Sequence, residues 1–309
     1  MEVWGREVGQ AKLKKQLAQR SWAISVNRVV ILEWLDPDEP QTGTGLAKAL
    51  KQQDPNTPVD VVKCRGREEV IKAIQTLTSE VSTIGKPILH IEAHGYVPGG
   101  EVALGFAGPS PGGGKEVLRW EDLVPHIRAL NVATGFNLIV VAAACLSDSL
   151  LLAAELDKAL PFLLLLGFSV EVFSDVLQAS LLKFYSALLH NNLTLAQAYD
   201  LAESVKAEGA GLAIFSLLQI IVNAVQIVVR QDQDGHFDEG GYMRVVGETA
   251  LVRGAKPLTP QEFIEMRRER TEAAVQVVLG RLLALDLLPG NQDRFGLQTR
   301  RLINDVRRR

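Results

Sequence analysis

The chain has little cysteine, histidine or aromatic content: two Cys, five His and 6% Phe, Trp and Tyr among 309 residues. Two thiols, Cys64 and Cys145, cannot build a disulfide scaffold, and they fit a reducing compartment. No Cys/His spacing reads as a zinc site, so no metal is expected. The N-terminus lacks a basic start and an apolar h-region, which gives no secretory signal and an expectation of a cytoplasmic protein. The longest uncharged stretch, residues 209–229, is interrupted by Ser216, Gln219, Asn223 and Gln226. The last three are spaced four and three apart, a polar edge on a core segment or on a helix leading into a strand, rather than a bilayer span.

Charge is uneven. Residues 251–309 hold 12 Lys/Arg against 7 Asp/Glu, whereas the rest holds 21 against 29. The basic end reads as a solvated helix face. Contact with nucleic acid through Arg300, Arg301 and Arg307 to Arg309 is the lesser reading, and any such role is expected to be indirect.

Apolar runs of strand length lie at residues 28–35, 59–64, 86–93, 137–144 and from 162 onward. Helix patterns fall between them, at 44–52, 68–77, 120–130, 150–160, 175–190 and 195–206. The glycine- and proline-rich stretch 97–114 suits a surface loop or hairpin, residues 225–246 a late hairpin, and residues 6–22 a short N-terminal helix. Thr259 to Leu288 opens with Pro260 and reads as a long helix, followed by a short one at 297–306. Near-continuous Val/Ile/Leu strands alternating with helices imply an α/β fold with a mostly parallel central sheet covered on both faces. The domain reading is 1–250 for this α/β unit and 251–309 for a basic helical extension.

In such sheets ligands gather at the carboxyl ends of the strands. The third strand ends at His94-Gly95 and the fourth at Cys145. Neighbouring strands lie ~5 Å apart, so a base and a thiol would share one rim. The N–H groups of Gly95 and Cys145 could then face a developing oxyanion. Each residue also has a plain alternative: Cys145 as a small buried hydrophobe and His94 as a hydrogen-bonded strand end.

Ile-Leu-His-Ile-Glu-Ala-His94-Gly95, followed about 50 residues later by Val-Val-Ala-Ala-Ala-Cys145-Leu-Ser, resembles the caspase-like cysteine peptidases, most of all their bacterial CHAT branch. The likeness continues through Gly167 to Asp175, Phe184-Tyr185 and Leu195 to Ala198, and covers roughly residues 28–230. It implies a caspase-like three-layer sandwich and a cysteine endopeptidase. Cys145 would be the nucleophile and His94 its base, with no cofactor. It also implies a protein substrate, an activating or sensing protein partner, and a role in bacterial defence or cell death, with a gasdermin-like or CRISPR-linked target. The alternative is a catalytically silent interaction module on the same fold.

Relatives that cleave after Arg or Lys often carry an acid two residues before the cysteine, where this chain has Ala143. The acids nearby are Asp148, Glu171 and Asp175, of which Asp175 would more simply cap a helix. The loop after the fifth strand, Phe168 and Ser169 through Ser174, is the expected substrate pocket. Other motifs fall short: Gly112-Gly-Gly-Lys115 is followed by Glu116 and is no P-loop, and Asp232 to Asp238 has its glycine misplaced for an EF-hand. The tryptophans at 4, 22, 34 and 120 read as core.

Overall fold

Six buried or nearly buried residues, Arg28–Glu33, open the first strand, β1, of a computed structural model that describes residues 27–155, 157–191, 193–205, 211–234, 259–295 and 297–307. The described residues form two compact units, residues 27–155 with 159–217 and residues 157–158 with 218–307.

The first unit is an α/β sheet structure. Its strands run β1, β2 (Val59–Lys63), β3 (Pro87–Glu92), β7 (Ile139–Ala143), β8 (Leu164–Phe168) and β9 (Leu212–Ser216), in the spatial order β2-β1-β3-β7-β8-β9. All neighbours pair parallel except β9, which runs antiparallel to β8. β3, β7 and β8 are buried at every position, which is why β7 and β8 are unbroken apolar runs and β3 is interrupted only by His90 and Glu92. After β3 a small antiparallel sheet of β4 (His94–Tyr96), β5 (Gly105–Pro109) and β6 (Lys115–Arg119) forms the expected hairpin, and Gly113 and Gly114 turn it with φ of 89° and 80°.

Helix α1 (Thr42–Gln53) packs with α4 (Ser174–Tyr185), and α4 packs with α5 (Leu195–Glu203). Helix α2 (Arg67–Ile84) packs with α3 (Trp120–Ala133). From β1 the chain steps one way to β2 and then the other way to β3. Right-handed crossovers of opposite direction place α1 and α2 on opposite faces. The sandwich therefore has three layers, and the strand order reverses between β1 and β3.

Two expected elements differ here. The described residues between 150 and 160 form no α-helix: a 3-10 helix spans Ser147–Ala153 and Ala154 is extended. Ser147 and Ser149 send their hydroxyls to Ala142 and Ala103 carbonyls, anchoring the segment to its neighbours. Residues 225–230 are not a hairpin strand. They lie in α6 (Leu217–Asp234), which follows β9, so a strand leads into a helix and not the reverse. Residues 231–234 continue that helix, while residues 235–246 of the expected hairpin and the helix expected at 6–22 lie outside the described residues.

The second unit holds α6, α7 (Pro260–Leu282), α8 (Asn291–Phe295) and α9 (Thr299–Arg307). Thr259 and Glu262 form a reciprocal capping box at the start of α7, with Pro260 in its first turn. The helix ends at Leu282, short of the expected Leu288. Val275, Leu279, Leu282, Ile303 and Val306 are buried, and Glu272 pairs with Arg268 and Arg300. Among the described residues no helix is long and apolar enough to cross a membrane.

Candidate active site

The parallel register of β3 and β7 pairs Glu92 with Ala143, and Ala93 N donates to Ala143 O at 3.5 Å. His94 and Cys145 therefore leave the sheet side by side. A Cβ on Gly95 would stand 2.2 Å from the Cys145 carbonyl oxygen, so the two chains approach more closely than any larger residue permits.

Past Cys145 the chain turns sharply. Leu146 has a left-handed φ of 54°, a conformation that costs a non-glycine residue about 1 kcal/mol or more. Neighbouring bonds hold it there. Leu146 N donates to Val170 O at 3.3 Å, and the Ser149 hydroxyl to Leu146 O at 2.8 Å. Ser147 Oγ donates to Ala142 O at 2.6 Å and accepts from Phe168 N at 3.0 Å. Gly167 makes room, since a Cβ there would meet Asp148 N at 2.7 Å. The thiol thus stands half-buried on a stitched turn between β7 and β8.

The Cys145 sulfur faces the Val172 peptide: Sγ–H donates to Val172 O at 3.8 Å and Val172 N–H donates to Sγ at 3.5 Å. His94 is held by another loop. Its Nε2 lies 2.9 Å from both oxygens of Glu39, in the Asp36–Gln41 segment after β1. Glu39 is braced in turn. Asp36 N donates to its carboxylate at 3.0 Å, and the Gln41 amide donates to the Asp36 and Glu39 carbonyls. Burial pushes the Glu39 carboxyl up, but the His94 hydrogen bond, the Asp36 N–H and the charges of His94 and Lys115 outweigh it. The carboxyl sits below its usual range.

With a carboxylate at Nε2, that nitrogen carries the proton and Nδ1 is the one left to accept another. Nδ1 has no hydrogen-bond partner among the described residues, and the two side chains do not hydrogen-bond to each other. The loops after β1, β3, β7 and β8 thus bring Glu39, His94, Cys145 and Val172 to one rim, at the place where the strand order reverses.

The expected pocket residues differ in burial. Ala143 is buried within β7 and Phe168 at the end of β8. Ser169 is half-buried, with its hydroxyl donating to Gly211 O at 3.2 Å. Asp148 is half-buried in the 3-10 turn, and Glu171, Ser174 and Asp175 are exposed. Asp175 does not cap α4; the cap position is Phe173, and Asp175 stands in the first turn, where the helix dipole favours a carboxylate. Phe173, adjoining Val172, is 75% exposed. Trp34 and Trp120 are buried, as core residues. Among the described residues no group of three His, Cys, Asp or Glu side chains is placed to hold a metal ion.

Sequence reasoning missed Glu39 and Val172. Asp36-Pro-Asp-Glu39-Pro reads as a turn closing a strand, and only the sheet order brings it beside β3.

Geometry defines this chain as an α/β protein with a mostly parallel sheet and a Cys-His-carboxylate rim. No protein-family model matches the chain, and no curated protein matches it.

Proposed function

We propose that the chain is a cysteine endopeptidase with a caspase-like sandwich. The observation that carries the reading is the rim itself: a thiol and an imidazole at the carboxyl ends of adjacent parallel strands, with a carboxylate on Nε2 of the imidazole. A thiolate nucleophile with a positioned base suits acyl transfer. His94 Nδ1 takes the Cys145 proton, and the sulfur attacks the scissile carbonyl. The oxyanion forms against the Gly95 and Cys145 amides. The C–N bond then breaks, the leaving amine takes the proton from His94, and the acyl group remains on sulfur as a thioester. Water, deprotonated by His94, hydrolyses the thioester and regenerates the thiol. Glu39 keeps the imidazole in the tautomer this sequence requires.

In the geometry described above His94 already has its carboxylate, whereas the Cys145 sulfur is turned to the Val172 peptide. That supports a gated enzyme, whose substrate or activating partner moves the Phe168–Ser174 loop and frees the sulfur toward His94. A gated peptidase of this type suits defence or cell death, with a protein as its target. The same occupancy is what a catalytically silent interaction module would retain, and reactivity separates the two. Labelling with a thiol-reactive peptide probe, read by mass spectrometry, should mark Cys145 and fall sharply in His94→Ala. Labelling of Cys145 that is indifferent to His94, with and without lysate as a source of activator, would favour the silent module.

A further inference from the structure

A second histidine and a second carboxylate lie directly beneath the rim, and nothing in the mechanism uses them. Glu92, the last residue of β3, is buried, as are His90 and Tyr185. One Glu92 oxygen accepts the Thr42 hydroxyl, and the other lies 3.1 Å from His90 Nε2. His90 Nδ1 is 3.0 Å from the Tyr185 hydroxyl. Burial, with the Glu92 charge adding to it, holds the phenol well above its ordinary pKa, so it keeps its proton. Its one hydrogen-bond partner among the described residues is His90 Nδ1, so the hydroxyl donates to that nitrogen. His90 then carries its own proton on Nε2 and donates to Glu92. Every bond in the chain points at the Glu92 carboxylate.

The first turn of α1 is seated on this arrangement. Thr44 donates its N–H and its hydroxyl to Glu33, the last residue of β1, at 2.8 and 2.6 Å. A Cβ on Gly43 would stand 3.0 Å from Glu92 Oε2 and 3.1 Å from Glu33 Oε1. Placing two carboxylates in a core is costly, and an apolar side chain of similar size would pack there at less expense in free energy. What the carboxylates supply is registry. Thr42 lies three residues after Glu39, and Glu92 two residues before His94. Apart from the Glu39–His94 pair itself, the Thr42–Glu92 bond is therefore a close tie between the segment that carries Glu39 and the strand that leads to His94.

We propose that Glu92, bonded to Thr42 and backed by His90 and Tyr185, is a positioning residue that sets Glu39 against His94 and so fixes the imidazole for Cys145. This rests on the reading of His94 as the base of Cys145. The test is the rate at which iodoacetamide alkylates Cys145, followed by mass spectrometry across pH in the full chain. Wild type, His94→Ala, Thr42→Val, Thr42→Ser and Glu92→Gln are compared, each with its melting temperature. Thr42→Val and Glu92→Gln should slow alkylation near neutral pH by roughly tenfold, because small displacements of a base are expensive in rate. Their pH midpoints should move toward that of His94→Ala, while Thr42→Ser, which keeps the hydroxyl, follows wild type. If Glu92→Gln does not fold, the Val and Ser variants of Thr42 decide the matter alone. A Thr42→Val profile identical to wild type beside a displaced His94→Ala profile would overturn the positioning role and leave the base assignment standing. Identical profiles for wild type and His94→Ala would overturn both.

Discussion

Cys64 and Cys145 each stand just past the carboxyl end of a strand in one sheet, Cys64 beyond β2 and Cys145 beyond β7. Sequence position alone gives them equal claim to chemistry. Their surroundings separate them. Cys64 is 4% exposed, its Sγ lies 3.8 Å from Val62 O, and its backbone N–H donates to Glu33 O. Burial, with Glu69 adding negative charge nearby, pushes its thiol up to about 12. Cys145 is half-buried, lies beside Gly95 and His94, and is followed by the left-handed Leu146. β2 is an edge strand, and β7 lies inside the sheet beside the strand that delivers an imidazole. The neighbour in the sheet, more than the thiol, decides which cysteine can react.

The largest expected effects test that contrast directly. In native protein a small alkylating reagent should modify Cys145, and Cys64 should react only after denaturation. Cys145→Ala should abolish native labelling and Cys64→Ala should leave it intact. Peptide mapping of the labelled chain reads this, and early modification of Cys64 would break the comparison. Folding the raised Cys64 pKa into stability gives a matching sign. The folded state disfavours its thiolate, so that contribution is complete below the ordinary thiol value and is lost as pH rises toward about 12. Alkaline unfolding should thus shift upward in Cys64→Ala relative to its own neutral-pH stability, measured by circular dichroism. His94→Ala should lower Cys145 labelling roughly a hundredfold, the scale of a positioned base.

That His94 and Cys145 share a rim is legible in the sequence, because each follows a largely apolar run, and such runs are buried strands whose ends form the rim. Glu39 is not legible. It stands 55 residues from its partner, in a proline-flanked turn, and the contact exists only because β1 neighbours β3. Val172 acts through its peptide group, so no side-chain motif marks it. The Val225 to Arg230 stretch shows the opposite failure. Its β-branched residues suggest a strand, yet Gln219, Asn223 and Gln226 already carried helical spacing, and the helix is what forms. From Leu150 to Ala153 good helix formers give only a 3-10 helix, behind two serines, Ser147 and Ser149, that bond to Ala142 and Ala103.

Intermediate effects probe the contact between the two rim residues. Gly95→Ala sets a methyl against the Cys145 carbonyl, and backbone cannot yield as a flexible side chain can. Labelling of Cys145 should drop by about tenfold while Cys64 stays protected, since displacement at the reacting atoms is costly. Glu39→Gln should be milder. The pair is partly exposed, so its contribution to stability is under about 1 kcal/mol. Because the Glu39 carboxyl is depressed, its stabilisation is present above the ordinary carboxylate value and is lost as pH falls through the lower folded value. The reactivity advantage of wild type over Glu39→Gln should persist at neutral pH and vanish in acid. An advantage unchanged in acid would detach Glu39 from the thiol chemistry.

The smallest effect concerns the turn that distinguishes the two cysteines. Positive φ among described non-glycine residues occurs at Phe136, Leu146 and Ala284, and only Leu146 follows a cysteine. Leu146→Gly relieves the left-handed strain, by about 1 kcal/mol, but adds unfolded-state entropy of similar size and removes a half-buried side chain. These terms nearly cancel, so stability should change by less than about 1 kcal/mol and Cys145 labelling should stay near wild type. Leu146→Ile is the informative counterpart, because a β-branched residue resists this region far more than leucine does. Urea unfolding should rank glycine above isoleucine here. Equal stability of the two variants would mean that the turn beyond Cys145 is not left-handed in solution, and the thiol would lose the one backbone feature that sets it apart from Cys64.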